Sequence, residues 1–157
     1  MDTTSLRNLP IGIQDFEKII NGNYTYVDKT DLLYKLVSEG SSYFLSRPRR
    51  FGKSLLVSTL EYYFSGKKEL FAGLKIEELE EDWQKYPVFR LDFSGKNYKN
   101  EKSLVQHINA HLEEWESVYG NEKQNRDVDE RLRYIIRRAF ERAGMRVVVL
   151  VDEYDKP

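Results

Sequence analysis

The chain has no cysteine. Disulfide staples and thiolate chemistry, nucleophilic or metal-binding, are therefore excluded, and the expectation is a cytoplasmic protein. No stretch approaches the roughly 18 consecutive apolar residues that mark a membrane helix, and Met1 to Arg7 lacks the apolar core of a signal peptide. No membrane partner is expected. Net charge is nearly absent too: 25 basic against 26 acidic residues leave −1 at neutral pH. That balance creates no bulk attraction for nucleic acid or anionic lipid, so any anion site must be local. Internal repeats and low-complexity tracts are missing. What is present is 157 residues, 40% hydrophobic and 32% charged, enough for one soluble domain with its own core.

Periodicity divides the chain. Leu9-Pro10-Ile11-Gly12 reads as a turn, Asp15 to Ile20 as a short helix, Asn21-Gly22-Asn23 as a turn and Tyr24 to Val27 as extended chain. Asp28 or Thr30 is placed to cap a helix carrying Leu32, Leu33, Leu36 and Val37 and ending at Gly40. Tyr43 to Leu45 reads as a first core strand, and a helix with Leu55, Leu56, Leu60, Tyr63 and Phe64 stops near Gly66. A second strand is expected over Val88 to Phe93, where Val88, Arg90 and Asp92 alternate with Phe89, Leu91 and Phe93. Ser103 to Tyr119 carries a helical stripe of Leu104, Ile108, Leu112, Trp115 and Tyr119. Asp127, with Glu130 three residues on, opens a helix with Leu132, Ile135, Ile136, Ala139 and Phe140, closed by Gly144. Val147 to Val151 is wholly apolar, as in strands buried on both faces of a parallel sheet. Strand, loop, helix, strand, two helices, strand is an α/β order.

Two motifs carry chemistry. Ser46-Arg47-Pro48-Arg49-Arg50-Phe51-Gly52-Lys53-Ser54 lies between an apolar stretch and a helix, the layout of a phosphate-binding loop. Helix N-termini attract anions through their unpaired N–H groups and dipole. Gly52 permits close backbone approach, Lys53 can reach the β- and γ-phosphates, and Ser54 can ligate magnesium. The candidate nucleotide-binding set is Arg49, Arg50, Phe51, Gly52, Lys53, Ser54 and Leu55. Asp152-Glu153 ends the apolar run, where ligands of open α/β sheets bind. Asp152 is expected to hold magnesium with Ser54, and Glu153 to orient or deprotonate water, with Lys53 as its catalytic partner. The pattern G-x-x-x-x-G-K-[ST] places glycine where this chain has Arg47. Arg47, Arg49, Arg50 and Lys53 can compensate triphosphate charge, contact nucleic-acid phosphate, or simply be solvated or paired.

Other candidates are weaker. His107 and His111, spaced i, i+4, could form a metal pair, but no Glu follows His107 and no third ligand suggests itself; a polar helix face is the usual case. Asp28-Lys29-Thr30 could line a base or merely start a helix. Asp92 could face the site or solvent. Tyr62, Tyr63 and Phe64 read as core rather than as a base-stacking platform.

These residues resemble the bacterial AAA-ATPase-like family: Leu9-Pro10-Ile11-Gly12, Tyr26-Val27-Asp28-Lys29-Thr30, Phe44 through Ser54, Leu91-Asp92-Phe93-Ser94, and Val151 through Pro157. Within that resemblance the arginine-rich loop, Arg47 included, is a family trait. The resemblance implies a P-loop NTPase three-layer sandwich with a mostly parallel sheet, ATP and Mg2+ as cofactors, and Glu153 as catalytic glutamate. It also implies a nuclease-like domain of the PD-(D/E)XK type further along many members. On this footing residues 1–40 are a lead-in and 41–157 an incomplete nucleotide-binding core, truncated after the Walker B strand. A further strand is then expected between the phosphate-loop strand and the Asp152 strand; the alternative is that those two pair directly. The expected function is ATP binding, with hydrolysis in the complete protein. Its rivals are a non-hydrolysing nucleotide-dependent interaction module and a nucleic-acid-binding module using Arg47, Arg49 and Arg50.

Overall fold

The computed structural model describes residues 7–40, 42–46, 51–94, 101–123 and 125–153. The chain divides into two compact units, Met1–Gln84 and Lys85–Pro157.

The first unit is helical. Helix α1 (Phe16–Asn21) begins where the Asp15 carboxylate accepts the N–H of Lys18 at 2.9 Å, the cap expected of an aspartate there. Helix α2 (Thr30–Glu39) stops at Gly40, and α3 (Lys53–Phe64) runs from the Gly-Lys-Ser segment. Two 3₁₀ turns follow, Lys68–Phe71 and Lys75–Glu78. Phe16, Leu33, Leu70, Phe71 and Ile76 make the core, with Leu56, Leu60, Tyr62, Tyr63 and Trp83 packed on it. Its centre is aromatic: Phe71 lies 4.8 Å from Phe16 and 5.1 Å from Trp83 between ring centroids, within the separations at which aromatic pairs interact. Tyr62 and Tyr63 are thus core residues, as expected. Leu32, placed on the apolar face of α2 by its periodicity, is instead 61% exposed.

Asp28 and Thr30 have a structural task. The Asp28 carboxylate accepts the Thr30 N–H (2.9 Å), the Thr30 hydroxyl (2.7 Å) and the Lys75 N–H (2.8 Å). Thr30 Oγ1 in turn accepts the Ile76 N–H at 3.0 Å. The start of α2 is so tied to the second 3₁₀ turn. Burial pushes the Asp28 carboxyl up, but the hydrogen bonds from Thr30 and Lys75 outweigh it and hold it below the usual carboxylate range. A depressed native pKa adds stability that is present above the unfolded value near 4 and lost as pH falls through the native one. Asp28→Asn is expected to cost about 1 kcal/mol at pH 7, because an amide group then faces three donors, two of them part-buried, that the carboxylate accepts. Urea midpoints measured from pH 7 down to pH 3 should show the gap to wild type closing in acid.

The second unit is α/β. Strand β1 (Val88–Asp92) pairs in parallel with β2 (Val148–Asp152), Val88 opposite Val148 and Asp92 opposite Asp152. Between them run α4 (Glu101–Tyr119) and α5 (Val128–Ala143), the helical crossover that parallel strands require. Phe89, Leu112, Ile135 and Ala139 form the core, with Trp115 stacked on Phe89 at 4.6 Å. Gly144 ends α5 in the left-handed conformation (φ 64°), its N–H bound to the Phe140 carbonyl, as a glycine there should.

Three expectations are corrected. Residues 42–46 form no strand; Tyr43 and Phe44 are 54% and 73% exposed. An apolar run becomes a strand only when another backbone completes its ladder, and the described sheet contains β1 and β2 alone. Nor is β2 buried on both faces, since Val149 and Val151 stay 46% and 43% exposed; β2 has one described neighbour, where an interior strand has two. Phe140, at the margin of the α5 stripe, is half exposed as well.

Candidate functional site

The first group of candidates sits at the start of α3. Gly52 is the residue before the helix, with φ 76° and ψ 18°. Side chains rarely adopt that left-handed conformation, which explains the glycine. A Cβ built there would meet no heavy atom within 4 Å, so the backbone is open to an approaching ligand. The first intrahelical bond runs from the Leu56 N–H to the Gly52 carbonyl. The N–H groups of Lys53, Ser54 and Leu55 thus belong to the first turn, whose donors have no partner within the helix. Among the described residues no side-chain cap hydrogen bond covers this end, and no acidic residue stands in its first turn. Phe51 is 63% exposed, while Lys53 and Ser54 are half-buried. Arg47, Arg49 and Arg50 lie outside the described residues.

Helix α3 is held firmly behind this end. Ser58 Oγ, fully buried, accepts the Phe16 N–H at 2.9 Å. The Tyr62 hydroxyl lies 3.2 Å from Asp15 and 3.3 Å from Glu17. Burial, then those two carboxylates, push its pKa well above the usual phenol range, so it stays a donor.

The second group stands at the carboxyl end of the β1–β2 pair. Asp152 is only 3% exposed, and its Oδ2 has no hydrogen-bond partner among the described residues. Among the described residues the cation paired with it is Arg90, 3.9 Å from that oxygen and 3.7 Å from Asp92 Oδ2. A buried carboxylate oxygen without a partner is costly, and a cation with its water shell would satisfy it. Asp92 is paired in register with Asp152, and its Oδ1 accepts the Ser94 N–H at 2.7 Å. Burial raises the Asp92 carboxyl, yet Ser94's hydrogen bonds, with Arg90 and His107, bring it below its ordinary value. Glu153 follows with φ 57°, a conformation uncommon for a residue other than glycine and typical of strained functional positions.

Arg90 escaped the reading of the sequence. Its only trace there was the alternation Val88, Arg90, Asp92, which sets Arg90 and Asp92 on one face of β1. The left-handed turn at Glu153 left no trace at all, because glutamate carries no preference for it.

Residues 10–157 match the family model described as "Predicted AAA-ATPase". The chain belongs to the AAA-ATPase-like family. A member of similar sequence is the "Uncharacterized protein in vnfD 5'region" of Azotobacter chroococcum mcd 1, 45% identical over 155 residues. That alignment covers 98% of this chain and 30% of the relative, so the chain spans under a third of the relative's length. No solved structure matches. No helix among the described residues of this AAA-ATPase-like chain is long and apolar enough to cross a membrane.

Proposed function

We propose that this chain is the nucleotide-binding part of a P-loop ATPase that binds ATP with magnesium and, in the complete protein, hydrolyses it to ADP and phosphate. The observation that carries the reading is the N-terminus of α3, free of a side-chain cap among the described residues, with left-handed Gly52 opening onto space and Lys53 and Ser54 at its first two positions. In this reading the loop amides from Arg49 to Leu55 and the Lys53 ammonium bind the β- and γ-phosphates, and Arg49 and Arg50 add charge-assisted contacts. By the family resemblance Ser54 Oγ and the Asp152 carboxylate would hold magnesium, which when bound would offset the triphosphate charge. Glu153 orients the attacking water and takes its proton as the bridging oxygen leaves with ADP. The β1–β2 pair with α4 and α5 is then part of a three-layer sandwich with a mostly parallel sheet. Residues 1–40 are a lead-in to a core over 41–157, and a nuclease-like domain elsewhere in the whole protein follows from the family resemblance. Soluble, cytoplasmic action is part of the same proposal.

The test is a titration with labelled ATP and magnesium. Lys53→Ala, losing a charge-assisted contact worth about 1.5–3 kcal/mol, should weaken binding about 10–100-fold. Equal affinity in the two chains, or binding by neither, would overturn the reading.

A further inference from the structure

We infer that His107, His111 and the Asp92 main-chain carbonyl form a site for a divalent transition metal such as Zn2+ or Ni2+, separate in ligand chemistry from any magnesium site. His107 and His111 lie one turn apart on α4, and their Nε2 atoms converge to 3.3 Å. His107 Nε2 is also 2.8 Å from the Asp92 carbonyl oxygen, at the end of β1. Neighbouring ligands about 2.1 Å from one metal are roughly 3.0 Å apart at a right angle and roughly 3.4 Å apart at the tetrahedral angle. The 3.3 Å separation lies between those values, and the 2.8 Å one falls about 0.2 Å short of the right-angle value, a gap that a small shift of the His107 ring closes.

The proton inventory favours a cation. A carbonyl oxygen only accepts, and a neutral imidazole carries one proton over two nitrogens. A proton on His107 Nε2 can point well at the carbonyl or at His111, not at both. A metal ion takes all three lone pairs together. No three side chains of His, Cys, Asp or Glu cluster as ligands among the described residues; the third donor is backbone, so residue types in the sequence could not disclose it. Arg90 lies beside the Asp92 carboxylate, which leaves the carbonyl as the oxygen on offer. The rings are held from either side, His107 by Phe93 at 5.5 Å and His111 by Trp115, stacked at 5.7 Å. Both imidazoles are half-exposed, so water can complete the coordination. Imidazole nitrogen selects zinc, nickel or copper over magnesium.

Trp115 supplies the reporter. In the full chain carrying Trp83→Phe, Ni2+ is expected to quench tryptophan emission saturably and reversibly with EDTA, and Mg2+ to leave it unchanged. His107→Gln and His111→Gln should each weaken the midpoint about 10–100-fold. Quenching that is unsaturable, or unaltered in both variants, overturns the site. Should either variant fail to fold, the imidazole nitrogen resonances of the wild-type chain decide: Zn2+ must shift Nε2 of both histidines, and a shift of neither refutes the inference. ATP plays no part in these measurements, so their outcome is independent of the nucleotide titration.

Discussion

Glu153→Gln in the full-length protein should lower ATP turnover about 10²–10⁴-fold, the usual contribution of a positioned general base, with ATP affinity unchanged. Glutamine keeps the length and shape of the side chain and removes only the basic oxygen. It also inherits the left-handed backbone at this position, so both proteins bear the same local strain of about 1–3 kcal/mol, and a difference in folding cannot masquerade as a difference in chemistry. Single-turnover hydrolysis of labelled ATP is the measurement. Equal rates would mean that nucleotide is a structural ligand here, and would favour the non-hydrolysing module.

Arg131→Met is expected to destabilise the protein by about 3–5 kcal/mol, read in the Trp83→Phe background from urea unfolding followed by Trp115 emission. Arg131 and Glu116 are 6% and 5% exposed and joined as a two-pronged pair, Nε to Oε1 at 2.7 Å and Nη2 to Oε2 at 2.8 Å. The third prong, Nη1, reaches Asn109 Oδ1 at 2.7 Å. The hydrogen bond to Glu116 outweighs burial and raises the guanidinium pKa further above its already high value. Methionine would leave the Glu116 carboxylate buried without its partner, the costly half of such a pair. Replacing both residues, Arg131→Met with Glu116→Leu, should recover most of the loss, because two apolar side chains carry no desolvation penalty. A double variant as unstable as the single one would show that packing around the pair, not its charge, holds α4 against α5.

Much of this was readable from residue order, and the failures share a cause. Helices α1, α4 and α5 appear near their expected bounds because their apolar spacing, Asp15 and Gly144 are local. Strands β1 and β2 were legible as apolar or alternating runs. Tyr43–Leu45 had the same credentials and forms no strand, since a ladder partner is a non-local fact. The candidate site divides in the same way. Gly52, Lys53 and Ser54 stand in one motif, and Asp152 and Glu153 in another. Arg90 beside Asp152, the carbonyl of Asp92 beside His107, and the backbone turn at Glu153 exist only once β1, β2 and α4 have come together.

The β1–β2 ladder has a kinetic consequence. Joining Val88 to Val148 and Asp92 to Asp152 closes loops of about sixty residues. Helices α4 and α5 contain mostly local contacts and can form first, but the strands meet only after that long closure, so sheet formation should set the pace of folding in this unit. Until then Val147 to Val151 is an apolar segment of high β-propensity without a partner, the kind of stretch that seeks other chains. Expression at lower temperature, or co-expression with a chaperone that shields such segments, should therefore raise the yield of folded protein.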